Sequence, residues 1–369
     1  MELSNIIIQR IRQKGPMSFH DFMEMVLYYP ELGYYTSNGD KIGPAGDFYT
    51  SCELSPVFGA MVAKQMEEIW NIMGSKIFTI VEYGAGNGTL CQNILSYFKK
   101  DPNLFNRLHY CIIEKSPVHR KKEEELVKGN VSWFDNIYGL GEIEGCIISN
   151  ELVDNFAVHL VEMHDELMEV FVDYQNNDFV EVLKPASADL KNYLDELKVV
   201  LPKGFRTEIN LEAIDWLQQN ADILTKGYLM TIDYGFTSGE LYSDRRRQGT
   251  LLCYNKHQVN DDMYHDIGKQ DITAHVNFSA LCHWGQKAGL DYCGLTNQAN
   301  FLLALGFKDY FRSIQANGNN VMQLALNEAR ITRTLLLDLG LKIKVLIQKK
   351  GVKEKNLTGL KHQEELISV

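Results

Sequence analysis

The sequence contains no apolar run of about 18 residues, the length that a membrane-spanning helix requires. Its seven cysteines include no C-x-x-C pair, so we expect them to be reduced, buried thiols in a reducing compartment. It also lacks an excess of positive charge, because 48 acidic residues outnumber 37 Lys and Arg and give a formal net charge of −11. This balance argues against binding to nucleic acid or to an anionic membrane, but it would attract a basic protein or peptide.

Short apolar strands alternate with helical segments through much of the 369-residue chain. Strands are predicted near 77–83, 110–114, 145–149 and 227–235, which indicates a doubly wound α/β sheet of the Rossmann-like kind. Helical segments precede it, and alternating apolar residues from Ala157 to Leu183 predict inserted antiparallel strands. We therefore divide the chain into four parts. Residues 1–75 form an N-terminal helical segment with a site-covering loop, and residues 76–160 form the first half of the core. Residues 161–225 form an inserted strand and helix subdomain, and residues 226–369 form the rest of the core with its acceptor-side loops.

Three further stretches carry local expectations. Residues 207–219 are predicted to form a helix, and residues 237–272 are polar enough to be predicted irregular. The charge run 121–125 is predicted to be the solvated face of the helix near 117–127. The aromatic side chains of Phe19, Phe22, Tyr28 and Tyr29 are expected in the core.

The most informative stretch is 80–90, where a buried strand runs into glycines at every second position. Gly84, Gly86 and Gly88 allow the backbone to turn sharply and to approach a ligand without a Cβ in the way. The helix predicted after them adds free N–H groups at its first turn. Glu82 lies two positions before the first glycine, so the stretch reads E-x-G-x-G-x-G.

Spacing separates two loops of this type. The dinucleotide fingerprint G-x-G-x-x-G needs a glycine at position 89, where this chain has Thr89, so an NAD-dependent oxidoreductase is disfavoured. The observed spacing resembles the first motif of the class I S-adenosylmethionine (SAM) methyltransferases. Glu114, at the end of the next predicted strand, is placed to accept hydrogen bonds from ribose hydroxyls. A glycine-rich turn in another kind of α/β protein remains an alternative for the loop alone.

Acidic and amide side chains follow two further strands. Asn150, Glu151 and Asp154 come after the third core strand, and Asp233 comes after the strand 227–235. In open α/β sheets the carboxyl ends of the strands face the ligand, so these groups are expected in the same crevice as the glycine loop. Carboxylates there can bind a guanidinium through paired hydrogen bonds. Alternatively, Asn150 and Asp154 cap the next element and Asp233 forms a turn.

Histidine and acidic residues are frequent between 257 and 283, but they match neither H-E-x-x-H nor an EF-hand loop. We therefore expect no metal site.

Taken together, these stretches and several unusual strings resemble the MidA-type SAM-dependent methyltransferases over nearly the whole chain. That family includes the mitochondrial assembly factor that methylates an arginine on a subunit of respiratory complex I. The strings that carry the resemblance are 16–19, 29–35, 46–51, 81–90, 150–154, 232–235, 249–251, 270–278 and 296–298.

The resemblance implies a class I methyltransferase fold, SAM as cofactor and a protein side chain, with arginine favoured, as methyl acceptor. It implies that loop 46–50 closes over the site. The cofactor residues would be Glu82, Gly84, Gly86, Gly88, Glu114, Asp135, Asn136 and Asn150. The catalytic residues would be Glu151, Asp154 and Asp233, and the acceptor-side residues Asp47, Thr50, Gln270, Asp271 and His275.

The resemblance also bears on partners and location. It implies a protein substrate, for which a respiratory complex I subunit is a candidate, and a cytoplasmic location, or the mitochondrial matrix in a eukaryote. The oligomeric state is left open, with a homodimer as one option. The alternative function is a SAM-binding assembly or chaperone-like factor without turnover.

Overall fold

The computed structural model describes residues 2–43, 46–47, 49–315 and 321–364. Serine side chains begin several of its helices: Ser18 accepts a hydrogen bond from the backbone N–H of Asp21, and Ser116 accepts one from that of His119. The helices are α1 (Leu3–Lys14), α2 (Phe19–Tyr28), α3 (Ser51–Leu54), α4 (Pro56–Met73), α5 (Thr89–Phe98), α6 (Pro102–Phe105), α7 (Pro117–Leu126), α8 (Ala188–Glu196), α9 (Glu212–Ile223), α10 (Ser238–Leu241), α11 (Phe278–Lys287), α12 (Gln298–Ala304), α13 (Phe307–Gln315) and α14 (Val321–Thr332).

The strands fall into three sheets. They are β1 (Met17–Ser18), β2 (Phe78–Tyr83), β3 (Leu108–Ile113), β4 (Val131–Phe134), β5 (Ile143–Asn150), β6 (His159–Met163), β7 (Leu167–Gln175), β8 (Asp178–Pro185), β9 (Arg206–Ile209), β10 (Leu224–Phe236), β11 (Leu252–Asn255), β12 (Gln258–Asn260), β13 (Asp271–Thr273), β14 (Val276–Asn277), β15 (Asp291–Asn297) and β16 (Ile343–Lys350).

The central sheet has the strand order β15-β16-β10-β5-β2-β3-β4, and β14 pairs with β10 beyond this path. Strands β4, β3, β2, β5 and β10 are mutually parallel, whereas β16 is antiparallel to both of its neighbours. The predicted doubly wound α/β fold is confirmed, with one antiparallel strand that the sequence pattern did not reveal.

Helices cover both faces of this sheet, which is why its strands read as nearly continuous apolar runs. Along β2, Ile80 packs into the cluster formed with α4, α5 and α12, while the next residue, Val81, packs into the cluster formed with α9 and α11. Both side chains are fully buried. The alternation follows from the two-residue period of a strand.

The strand order reverses between β2 and β5, which lie side by side although β3 and β4 separate them in sequence. At such a reversal, the loops that follow the two adjacent strands run in opposite directions. This opens a crevice at the carboxyl ends of the strands. The glycine loop follows β2, and Glu151 follows β5, so the topology brings these two predicted features together.

A second sheet, of five strands, joins the inserted segment to the N-terminus. The predicted antiparallel strands are confirmed as β6, β7 and β8, and β1 pairs with β7 in the register Met17 with Val172. Ile7 of α1, Phe22 of α2 and Val170 of β7 belong to one buried cluster, together with residues of the small third sheet, β12-β11-β13. The first helices and the insertion therefore share a hydrophobic core.

Three local expectations were wrong. Residues 206–209 form strand β9 beside β6, and the helix begins only at Glu212. The stretch 237–272, predicted irregular, contains α10 and the third sheet. The charge run on α7 is only partly solvated, because Glu123 is fully buried.

None of the seven cysteines, all within the described ranges, forms a disulfide. In the described part of the chain, no helix is long and apolar enough to cross a membrane. The four-way division of the chain stays a prediction.

Candidate functional site

A cavity of about 530 Å³ opens at the carboxyl ends of β2, β3 and β5. Its size lies within the range of roughly 300–1,000 Å³ usual for small-molecule sites. The glycine loop, the residues after β5, residues of α2 and residues between 35 and 53 form its wall. Among the described residues, no group of three or more His, Cys, Asp and Glu side chains is placed to hold a metal ion.

Two glycines of the loop line the cavity in conformations that other residues rarely adopt. Gly84 has φ 58° and Gly86 has φ 62°. A Cβ on Gly86 would lie 2.8 Å from Cδ1 of Ile42, and one on Gly84 would lie 2.9 Å from Cδ1 of Leu152. The loop thus keeps a bare backbone surface toward the cavity, as a closely bound ligand requires.

Gly88, predicted to hold the cofactor, is not one of the residues lining the cavity. It begins α5 at φ 81°, and a Cβ there would lie 3.0 Å from Cγ2 of Val127 and 3.3 Å from Cα of Glu123. The structure therefore places Gly88 at the close contact between α5 and the end of α7.

Two buried carboxylates flank the glycine loop and line the cavity. Glu82 accepts a 2.5 Å hydrogen bond from the Tyr110 hydroxyl, and burial raises its pKa to about 7. Glu114, 8% exposed, accepts a 2.6 Å hydrogen bond at Oε1 from the backbone N–H of Ser116, and burial raises its pKa as well. Both groups therefore favour a ligand that donates hydrogen bonds or carries positive charge.

Beyond Glu114, two residues that the resemblance assigns to the cofactor, Asp135 and Asn136, follow β4 and also line the cavity. Asp135 is largely exposed at the rim, with its Oδ1 3.5 Å from Nη1 of Arg120.

Glu151 occupies a strained position directly after β5. Its φ is 51°, which is unusual for a residue other than glycine, and strain of this kind is concentrated at functional sites. Its Oε1 accepts a 3.1 Å hydrogen bond from the backbone N–H of Ser51, and Asn150 Nδ2 lies 3.4 Å from the same oxygen. Burial raises the pKa of Glu151 to about 8. A carboxylate held by neutral donors in this way is available to a cationic ligand.

Unpartnered polar atoms occur at the same place. Asn150 Oδ1, Asn155 Oδ1 and Trp216 Nε1 are buried without a hydrogen-bond partner among the described residues, and all three side chains line the cavity. Buried polar groups normally have partners, so these atoms are suited to hydrogen bonds with a bound molecule.

The two other predicted catalytic acids lie behind this wall. Asp233 accepts hydrogen bonds at Oδ2 from the backbone N–H groups of Leu152 and Val153, at 3.1 and 2.8 Å, and at Oδ1 from that of Tyr234, at 2.9 Å. It therefore fixes the loop that carries Glu151. Burial and the neighbouring charge of Asp233 raise the pKa of Asp154, and neither acid is one of the residues lining the cavity.

Of the predicted acceptor-side residues, Thr50 lines the cavity, whereas Asp47, Gln270, Asp271 and His275 do not. Asp47 accepts hydrogen bonds from the Tyr34 hydroxyl and from the backbone N–H of Lys256. In the predicted closing loop 46–50, Phe48 lies outside the described residues, and closure stays a prediction.

The other three are held by local contacts. Gln270 donates to the carbonyl oxygens of Asp262 and His265, and Asp271 accepts a 2.9 Å hydrogen bond from the Tyr35 hydroxyl. Burial lowers the pKa of His275 to about 4, so the ring is neutral near pH 7. Their role toward an acceptor stays a prediction.

Sequence reasoning missed several residues of the wall. Tyr28, expected in the core, lines the cavity, where it stacks on Tyr35 with ring centroids 5.6 Å apart. The aromatic density of 28–35 was the available signal. Nothing local marked Trp216, because its neighbours in the cavity are distant in sequence.

The wall is predominantly acidic. Lys115 and His119 are its basic side chains among the described residues, and burial lowers the pKa of His119 to about 4. The acids are Glu24, Glu53, Glu82, Glu114, Asp135, Glu151, Glu212 and Asp215. This set fits a nucleoside with cationic groups, and SAM carries a sulfonium and an ammonium. Gly84 and Gly86 would meet its amino-acid end and Glu114 its ribose.

Comparisons with known proteins agree with this chemistry. The family described as "Putative S-adenosyl-L-methionine-dependent methyltransferase" matches residues 61–296. A crystal structure of a "likely methyl transferase" from Burkholderia thailandensis, bound to S-adenosyl-homocysteine, is 30% identical, with a TM-score of 0.89 over 98% of this chain and 95% of that one.

Two similar relatives are mitochondrial. The protein arginine methyltransferase NDUFAF7 homolog of Drosophila melanogaster is 26% identical over 79% of this chain and 72% of its own length. Protein arginine methyltransferase NDUFAF7 of Mus musculus is 28% identical over 81% of this chain and 73% of its own length.

The match covers well over half of the chain, and the closely superposed structure holds the demethylated product of SAM. The predicted resemblance is thereby confirmed: the chain belongs to the family of SAM-dependent methyltransferases, with SAM as its cofactor.

Proposed function

We propose that this enzyme methylates an arginine side chain of a protein, with Glu151 as the residue that receives the guanidinium. The observation that carries the proposal is the position of Glu151, a carboxylate in the cavity wall that is hydrogen-bonded by the backbone of Ser51 and paired with no cation among the described residues. An arginine side chain would supply the missing positive charge.

The chemistry of the wall suits a guanidinium better than an ammonium. A guanidinium is planar and presents five N–H donors, which match several acceptors spread over a surface. Glu151 offers a carboxylate, and the unpartnered Oδ1 atoms of Asn150 and Asn155 offer two more acceptors. The names of the relatives from fly and mouse point to the same amino acid.

SAM, when bound, supplies an electrophilic methyl group on sulfur. Glu151 would orient one guanidinium nitrogen toward it by hydrogen bonds, which raises the rate by positioning. When the N–C bond forms and the S–C bond breaks, that nitrogen must lose a proton. Ionised Glu151, whose raised pKa makes it a better base than an ordinary carboxylate, would accept this proton.

In the direct test, the purified enzyme is incubated with three matched basic peptides and with SAM that carries an isotopically labelled methyl group. Their central residue is arginine, lysine or glutamine. We expect label on the arginine peptide alone, located on the guanidinium by fragmentation mass spectrometry. Label on lysine, or label retained when arginine is replaced by glutamine, would contradict the assignment.

The identity of the protein substrate is a separate proposal. We infer a respiratory-chain subunit, with complex I first, because the family resemblance leads there, and a cytoplasmic location, or the mitochondrial matrix in a eukaryote. The oligomeric state stays open, with a homodimer as one option. Mass spectrometry of proteins captured with this chain, searched for methylated arginine, tests the substrate, and light scattering tests the assembly. Capture of an unmethylated partner would instead favour a chaperone-like assembly factor.

A further inference from the structure

Glu123 is a buried acid that the cavity wall itself does not include. It lies on α7 between Arg120 and Leu126, in a run of charged residues whose other members reach solvent, yet its own exposure is 0%. Its Oε2 accepts a 2.8 Å hydrogen bond from Nε1 of Trp133. Its Oε1 is buried and accepts no hydrogen bond from any of the described residues.

The group that Glu123 meets is Glu114. Both carboxyl groups are buried and act directly on each other's pKa, and two carboxylates so placed cannot both be ionised, so one of them must hold a proton. Glu114 also accepts from the backbone N–H of Ser116 and lies beside Lys115, both of which favour its ionised form. Glu123 has only the indole of Trp133 as a further donor, so the proton belongs on Glu123.

The other groups around Glu123 also favour the proton on Glu123 rather than on Glu114. The titratable groups that act on it from the packed elements are Glu114 and Glu82 at the ends of two strands, and Cys91 of α5 is a third titratable neighbour. None of them is a cation. Burial and the charge of Glu114 therefore raise the pKa of Glu123 well above that of an ordinary carboxylic acid.

We propose that Glu123 is a positioning residue for the cofactor site: as a neutral acid, it donates a hydrogen bond to Glu114 and turns the remaining acceptor positions of that carboxylate toward the ribose of SAM. This inference rests on the assignment of Glu114 to the ribose. Gly88 is part of the same arrangement, because any Cβ there would lie 3.3 Å from Cα of Glu123 and push α7 away.

The test is calorimetric titration of S-adenosylhomocysteine between pH 6 and pH 10 into wild type, Glu123→Gln, Glu123→Ala and Glu125→Gln. Glutamine keeps an N–H donor at Glu123 but cannot ionise. The Glu125 side chain is exposed on the same helix, so Glu125→Gln controls for the loss of one charge from α7.

For wild type and Glu125→Gln, we expect affinity to fall at alkaline pH as Glu123 loses its proton and repels Glu114. Glu123→Gln should bind within about threefold of wild type at pH 7 and lack the alkaline fall. Glu123→Ala should bind roughly tenfold to a hundredfold more weakly, the range expected for a lost hydrogen bond to a charged group. An alkaline fall that persists in Glu123→Gln, or unchanged binding by Glu123→Ala, would overturn the proposal.

A second measurement applies even if Glu123→Ala fails to fold. The infrared spectrum of wild type at pH 7 should contain a C=O band of a buried protonated carboxyl group that is missing from Glu123→Gln. Identical spectra would place the proton elsewhere and reject the inference. If wild type itself does not bind the nucleoside, the assignment of Glu114 fails instead, so the two failures can be told apart.

Discussion

The backbone N–H of Ser51 donates a 3.1 Å hydrogen bond to Oε1 of Glu151. Ser51 begins α3 and Glu151 follows β5, and the Ser51 hydroxyl is tied in turn to Oε1 of Gln298 at 2.9 Å. A segment that precedes the central sheet in the sequence thus fixes the Glu151 side chain in the cavity wall. The neutral character of these partners leaves the charge of Glu151 available to a substrate.

Replacing Glu151 with glutamine should separate cofactor binding from turnover. The amide retains the size of the side chain and can still accept from Ser51, but it can neither pair with a guanidinium nor accept its proton. We expect SAM affinity within about threefold of wild type and methyl transfer reduced by roughly 10² to 10⁴, the usual loss for a general base. Calorimetry and labelled-methyl transfer measure the two quantities, and unimpaired turnover would remove Glu151 from the mechanism.

Replacing Gly86 with valine should abolish SAM binding. A side chain there would adopt φ 62° with its Cβ 2.8 Å from Cδ1 of Ile42, so either the loop or the Ile42 side chain, both of which line the cavity, must shift. Gly74 is the matched control, because it has φ 62° at the end of α4 and no atom within 4 Å of a Cβ. We expect Gly74→Val to lower stability by about 1 kcal/mol while binding SAM normally. Equal SAM affinities of the two variants would contradict the proposed role of the loop.

The affinity for the acceptor should depend on pH through Glu151. Burial raises its pKa to about 8, so below that pH it is mainly protonated and cannot pair with a guanidinium. We expect the KM for an arginine peptide, at saturating SAM, to fall as the pH rises from 6 to 9. Glu151→Gln should lose this dependence, and a KM that is independent of pH in wild type would be evidence against it.

Ionisation of Glu151 should lower the stability of the fold, although it raises the affinity for the acceptor. Since the pKa of Glu151 is about 8 when folded and 4.5 for the free side chain, the folded state binds more protons between these values. The free energy of unfolding contributed by this group therefore declines as the pH rises through that window. Urea unfolding at pH 5.5 and pH 8.5 should show a smaller decline for Glu151→Gln than for wild type.

Replacing Asp233 with alanine should damage the fold rather than the chemistry alone. The change leaves the N–H groups of Leu152, Val153 and Tyr234 without their acceptor, and each buried group left unpaired costs about 1–3 kcal/mol. We expect a loss of at least about 3 kcal/mol in urea unfolding, with weaker SAM binding. A variant of normal stability that lost only kcat would instead support the predicted catalytic role of Asp233.

The sequence allowed prediction of the parts of this site that depend on local pattern. The glycine loop, Glu114 and Glu151 each follow a strand whose apolar residues are recognisable, and the parallel sheet brings such strand ends together. The burial of Glu123 could not be predicted, because its neighbours in the chain are charged and its partners, Glu114 and Trp133, come from other elements. Strand β9 was missed for a similar reason: its four residues are defined by pairing with β6.

The pairing of β1 with β7 has a consequence for how the enzyme acquires its cofactor pocket. Tyr28 and Tyr35 line the cavity, and they belong to an N-terminal segment that packs on the inserted strands. Those strands lie more than a hundred residues further along the chain. In a nascent chain that ends soon after the glycine loop, the cavity would still be open to water. High-affinity capture of SAM should therefore await synthesis of the insertion, and a protein shortened at its start should lose the aromatic side of the cavity while its central sheet stays intact.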